Sequence, residues 1–306
     1  MRRFKLIDFC LVTLGIALFP TDALAWGPVA HLDFALQILA GAAVVTPVVK
    51  RLIETRSADF LYGSLAADAI VGKNLAKHRD HCHNWDVARG LYGSAARLGK
   101  PAEAFALGYI GHLGADVVAH NHIVPRMLIT HFRAKGVGHI YWEMRSDEKL
   151  FKANPNLAPA LKQLTTRKRF REHDKFLAKH LKAPLRWHTL SKEIFRRTAN
   201  LQGRSPWRRA FGRIERRSKL AFTDAEMQLW RDLAVRGACL AINDPMGTVL
   251  DGLDPRGEVL LAKALRRRKA LRKELRKNGR GKRLNELLGR YLADIPEPDP
   301  SIFGAS

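Results

Sequence analysis

His112 and Asp116 stand four residues apart, and so do His139 and Glu143. On an α-helix that interval brings two side chains to one face, a single turn apart, whereas on a strand it spreads them by about 13 Å. Pairs that act together at this spacing therefore ask for helix at both places. The surrounding segments agree. Pro101 can occupy the first turn of a helix running through AEAFALGYIGHLGADVVAH, and Pro28 can do the same for HLDFALQILAGAAV. Thr223 and Glu226 have the spacing of a capping box ahead of MQLWRDLAVRGACLAI. Runs of alternating apolar and polar residues with hairpin turns are nearly absent, and no repeat of fixed period is found. The expectation is an all-α protein: a compact helical bundle over residues 26–245, then a loop and a basic helical tail over 246–306. With 46% hydrophobic residues the chain can fill such a core.

Residues 1–25 read differently. MRRFKLIDFCLVTLGIALFPTDALA has a basic start (Arg2, Arg3, Lys5), an apolar run, a helix-breaking Pro20, and small residues Ala23 and Ala25 at the positions of a signal-peptidase site. Asp8 interrupts the apolar run, which falls short of the ~20 residues of a spanning helix. The reading is a cleaved signal peptide, an exported (periplasmic or secreted) protein, and a mature chain that begins at Trp26 with a free amine. Only Cys82 and Cys239 remain after such a cut, so a disulfide-stapled scaffold is not expected and an ordinary core must carry stability.

The charge is lopsided, +24 for the whole chain and +23 once the signal is removed. Such an excess favours anionic partners, an acidic membrane surface or nucleic acid, and says little about the fold. Eleven of the cations fall in LRRRKALRKELRKNGRGKR, residues 265–283, a run that by itself reads as a solvated basic helix.

Nine of the twelve histidines lie between His31 and His139. A single histidine on an apolar face is ordinarily a core residue, but four short segments that each combine His with further donors ask for another explanation. Imidazole nitrogen and carboxylate oxygen are zinc ligands, and two i, i+4 pairs on facing helices can hold metal inside a bundle. HCHNWD at 81–86 and Asp68 in LYGSLAADAI add donors. HCHNWD offers both His81 and His83. His120 and His122 both follow Asp116, and His120 shares its face if the helix stays regular.

Together these motifs resemble the zinc-dependent phospholipases C of bacteria, whose all-helical trinuclear zinc site is shared with the fungal-type single-strand nucleases. The resemblance covers residues 26–145 and implies three zinc ions. Members begin, after signal cleavage, with a Trp whose amine and carbonyl oxygen bind zinc, which matches Trp26, and His31 would join it. Asp68 matches the carboxylate on the first zinc or beside the attacking water, and is the expected general base. H-x3-D-x5-H is met by His112, Asp116 and His122, with Asp116 bridging two zincs. G-H-x2-aromatic-E is met by Gly138, His139, Trp142 and Glu143, of which His139 and Glu143 would join His122 on the remaining zinc. The family's other His is followed by an aromatic and an acid, which selects His83, with Trp85 and Asp86, over His81. Selecting His122 over His120 requires the helix to unwind before Pro125.

The implied function is hydrolysis of a phosphodiester by zinc-activated water, with phospholipid as substrate and single-stranded nucleic acid as the alternative. HNW and GHIYWE are closer to the lipase side. RSPWRRAFGR (204–213) and LRWH (185–188) interleave basic and aromatic residues, as a nucleic-acid platform does. A non-catalytic zinc-binding role is the third reading. Structural zinc sites are usually closed and built with Cys, whereas this donor set holds several carboxylates, which suits an open hydrolytic site.

Overall fold

A computed structural model describes residues 26–41, 43–70, 81–133, 138–166, 170–181, 185–204, 207–209, 222–247, 249–278 and 284–297. The expected signal peptide, most of RSPWRRAFGR and residues 279–283 of the basic run lie outside that set, as do the side chains of LRWH. Among the described residues the regular structure is helical, with no strand. In chain order the helices are α1 (Pro28–Leu39), α2 (Pro47–Thr55), α3 (Ser57–Ala66), α4 (Trp85–Ala95), α5 (Lys100–Val118), α6 (Val124–Thr130), α7 (Gly138–Ala153), α8 (Leu157–Thr166), α9 (Arg171–His180), α10 (Leu185–Gln202), α11 (Asp224–Asn243), α12 (Glu258–Asn278) and α13 (Leu284–Leu292). The bundle of helices is the fold class that the residue pattern calls for.

The helix starts follow local chemistry. Pro28 and Pro101 lie in the first turns of α1 and α5, where a missing N–H leaves no helical bond unmade. The Thr223 hydroxyl accepts the Glu226 N–H at 3.1 Å while the Glu226 carboxylate accepts the Thr223 N–H at 2.6 Å, a complete capping box on α11.

α5 organises the bundle. A helix that touches the core along one stripe keeps a polar side, but α5 is buried without interruption from Ala104 to Val118. α3 and α11 lie against it, and α4 also packs on it. Two glycine contacts set the distances. A Cβ on Gly108 would lie 2.1 Å from the Phe60 carbonyl oxygen of α3, and one on Gly114 would lie 2.5 Å from the Gly237 carbonyl oxygen of α11. Backbone therefore meets backbone on two sides of α5, and His112 falls between these two crossings.

The chain does not unwind between Asp116 and Pro125, as the choice of His122 demanded. Ala119–Ile123 instead form one π-helical turn, closed by Val124 N–H on the Ala119 carbonyl, and α6 continues from it with Pro125 in its first turn. A π turn absorbs one extra residue, so the chain accommodates proline's missing donor without losing helical direction. Both His120 and His122 are buried on this turn.

Nor is the basic helix wholly solvated. Ala264 and Leu271 of α12 are fully buried, and α12 packs on α6, on the π turn and on α13. Gly257, just ahead of α12, has φ +57° and leaves no space for a Cβ, which would lie 2.3 Å from the His120 carbonyl oxygen. Cys82 and Cys239 are buried free thiols.

Candidate metal centre

Four segments bring five of the expected ligands together. His31 comes from α1, Asp68 from the turn after α3, His83 from the turn before α4, and His112 and Asp116 from adjacent turns of α5. All five are between 1% and 6% exposed. His112 Nε2 lies 3.1 Å from His83 Nε2 and 3.2 Å from Asp116 Oδ2, and His83 Nε2 lies 3.2 Å from the same Asp116 oxygen. Asp68 Oδ1 stands 3.4 Å from His83 Nε2 and 3.9 Å from His112 Nε2. Four donors held tetrahedrally at zinc bond lengths of about 2.05 Å are separated by edges of about 3.3 Å. The separations among His83, His112 and Asp116 match that edge, so these three could hold one zinc ion, with Asp68 beside His83 as a further donor.

Asp116 also reaches a second donor. Its other oxygen, Oδ1, is 3.3 Å from His31 Nε2, and both atoms are buried. His31 Nε2 is 3.8 Å from Asp68 Oδ2, and the His31 and His112 rings stack at 3.6 Å. Asp116 thus presents one oxygen to each of two neighbouring donor groups. His31, Asp68 and His112 form one such group and His83, His112 and Asp116 another.

Electrostatics and outer contacts prepare these atoms for a cation. Burial lowers the His31 imidazole below its ordinary range, and the neighbouring His112 lowers it further, which favours the neutral, ligating form. Burial alone would raise the Asp116 carboxyl, but His112 and His31 more than offset it and hold Asp116 well below the usual carboxylate range. His112 Nδ1 donates to the Ser64 carbonyl at 2.9 Å, which fixes the tautomer and leaves Nε2 with its lone pair toward the cluster. His83 Nδ1 meets Cys82 Sγ at 3.2 Å.

Trp26 is buried, and its indole N–H donates to the Ala115 carbonyl at 3.3 Å, pinning the ring to the turn of α5 that carries Asp116. It meets Phe34 edge-on at 5.2 Å. A residue outside the expected set secures the segment that leads into α1. Asp147 of α7, 2% exposed, accepts the Ala30 N–H through Oδ1 at 3.1 Å, and its carboxylate fills the space that a Cβ on Gly27 would need. The sequence held a signal for it, since Asp147 follows Glu143 by the same four-residue interval that separates Glu143 from His139.

Five further candidates remain: the alternatives His81 and His120, and the expected ligands His122, His139 and Glu143. His81 Nδ1 accepts the His83 N–H at 3.0 Å, so that nitrogen is occupied by backbone, while His81, Cys82 and His83 form a third group of neighbouring donors. The His120 backbone and Cβ lie against Gly257. His122 is 2% exposed on the π turn. His139 and Glu143 are one turn apart on α7, and their side chains lie outside the described residues. Trp142, from the same motif, is buried against His131 at 4.6 Å.

Searches against curated proteins and against solved structures return no match. A family profile described as zinc dependent phospholipase C matches residues 30–205, more than half of the chain and about sixty residues beyond the last of the ligand motifs. With buried imidazoles and carboxylates spaced for zinc inside a helical bundle, the chain belongs to the zinc-dependent phospholipase C family.

Proposed function

We propose that the chain is an exported zinc phosphodiesterase that cleaves phospholipids at the glycerol side of the phosphate, releasing diacylglycerol and a phosphorylated headgroup. The observation that carries this reading is the set of donor separations near 3.3 Å among Asp68, His83, His112 and Asp116, in a chain of this family. His31 and the amine and carbonyl of Trp26 would complete a second zinc position beside Asp116, and His122, His139 and Glu143 a third. Zinc held there supplies Lewis acidity toward the phosphate and lowers the pKa of water toward ~7.

The chain's own residues supply the rest. Asp68 directs one oxygen toward His83 and the other toward His31, which supports its reading as the group that would take the proton of an attacking water. The water oxygen bonds to phosphorus, the phosphorus–oxygen bond to glycerol breaks, and the diacylglycerol oxygen departs with a proton. Trp26, Phe34 and the apolar wall of α5 exclude bulk water from the donors, which strengthens charge interactions within. Cleavage after Ala25 would turn a peptide nitrogen into an amine, so removal of the leader would also complete the metal site.

Correctly processed protein should be assayed side by side on phosphatidylcholine, phosphatidylglycerol and single-stranded DNA. Diacylglycerol release that disappears in Asp68→Asn, with most zinc retained, supports the proposal. Cleavage of DNA alone replaces it with the nuclease reading, and turnover of none of the three with zinc bound favours a non-catalytic zinc protein.

A further inference from the structure

We propose that the outward face of α12 is a docking surface for an anionic phospholipid bilayer. This extends the reading above by naming the surface on which the enzyme works, and it concerns a helix outside the family-matched residues 30–205.

The cations of α12 divide into two groups. Arg268 and Arg272 turn inward, and each donates through Nε to the Phe132 carbonyl just beyond α6. Arg267 pairs with Asp294. Arg266, Lys269, Lys273, Arg276 and Lys277 are exposed, and none of them is ion-paired among the described residues. Their intervals of three and four place them on one helical face, opposite buried Leu261, Ala264, Leu271 and Leu275. A fold gains nothing from crowding five like charges on one face, because they repel each other. An anionic partner removes that repulsion.

The apolar residues choose the partner. Val259 is 76% exposed and Leu265 is 39% exposed, and the helical period puts both at the margins of the cationic row. A bilayer offers headgroup charge to the cations and an acyl boundary to aliphatic side chains. Nucleic acid would call for stacking aromatics, and the exposed residues of α12 include none.

The location suits the enzyme. α12 follows Gly257, which lies against His120 on the π turn that also carries His122, and α12 packs along α6. The preceding loop is tied to the wall beside the metal cluster, with the Trp85 indole donating to the Leu253 carbonyl at 3.0 Å and Asn121 to the Asp254 carbonyl at 2.8 Å. A membrane held on α12 is thereby held in a fixed relation to the helix turn next to Asp116.

The test is co-sedimentation of the processed full chain with vesicles of equal parts phosphatidylglycerol and phosphatidylcholine, beside vesicles of phosphatidylcholine alone. The expected result is binding to the anionic vesicles only, reversed when salt shortens the screening length from ~10 Å at 0.1 M to ~3 Å at 1 M. Combined substitution of Arg266→Gln, Lys269→Gln and Lys273→Gln should lower partitioning by about a hundredfold, at roughly fivefold per cation near the surface. Its turnover of a short-chain, monomeric phospholipid should stay unchanged. Leu265→Ser alone should weaken binding to the anionic vesicles at ~0.1 M salt. Equal binding to both vesicle types, unchanged binding of the triple variant, or binding to single-stranded DNA without binding to vesicles would overturn the inference. Vesicle binding without lipid turnover would leave it standing and remove the enzymatic reading instead.

Discussion

Asp147→Asn in zinc-depleted protein isolates the cost of one buried carboxylate. Burial is the main cause that pushes the Asp147 carboxyl from 3.8 up to about 8, with the negative Asp68 adding to it and the N–H groups of Ala30 and Val29 working against it. One oxygen accepts the Ala30 N–H, and the other has no hydrogen-bond partner among the described residues. In the unfolded chain the group titrates near 3.8, so between that pH and about 8 the native state keeps a proton that the unfolded state has released. Stability from this group is therefore complete below the unfolded value and is lost as pH rises through the folded one. From pH 5 to 8 the loss is about 3 units at 1.36 kcal/mol each, or about 4 kcal/mol. Asparagine keeps an acceptor for Ala30 and removes the charge. Urea unfolding at both pH values should show the variant gaining about 4 kcal/mol of stability relative to wild type between pH 5 and pH 8. Parallel pH profiles for the two proteins would show that Asp147 is not the buried, proton-holding group described. Asp147→Ala should behave differently, losing the acceptor and costing about 1–3 kcal/mol even at pH 5.

Three further outcomes follow from the geometry. Asp116→Asn removes the charge that faces both His31 and the His83–His112 pair, so zinc content by mass spectrometry of the metal should fall by at least one ion per chain; unchanged content would refute a shared ligand. Gly237→Ala puts a Cβ 2.6 Å from the Gly114 carbonyl oxygen, so the α5–α11 crossing must open at a cost of about 1–3 kcal/mol, read by denaturant unfolding. Thr223→Ala breaks the exposed capping box of α11 and should cost about 1 kcal/mol while leaving zinc content untouched.

Helical character was legible because proline starts, a capping box and apolar periodicity act locally, over a turn or two of chain. The His112/Asp116 pair belonged to the same category: a four-residue interval on a helix places two donors together regardless of what surrounds them. The π turn after Val118 was not legible, because a π turn and an unwound segment answer the missing donor of Pro125 equally well in sequence. Packing of the π turn against Gly257, more than a hundred residues away, accompanies the helical outcome. The basic run at 265–283 reads as solvated by composition, yet Leu271 within it is fully buried and α12 packs on α6, a contact between distant segments.

Amino-acid order alone set the donor chemistry: which residues carry imidazole or carboxylate, and which of them share a helical face. Their assembly depended on long-range contact. Asp68 and His83 sit in turns whose positions follow from where α3 and α4 meet α5, and glycines let α3 and α11 approach α5 to backbone contact. His31 reaches Asp116 because Asp147, from yet another helix, holds the first turn of α1. Separations near 3.3 Å between donors so far apart in the chain are a property of packed helices, since no local rule relates one turn of chain to another eighty residues away.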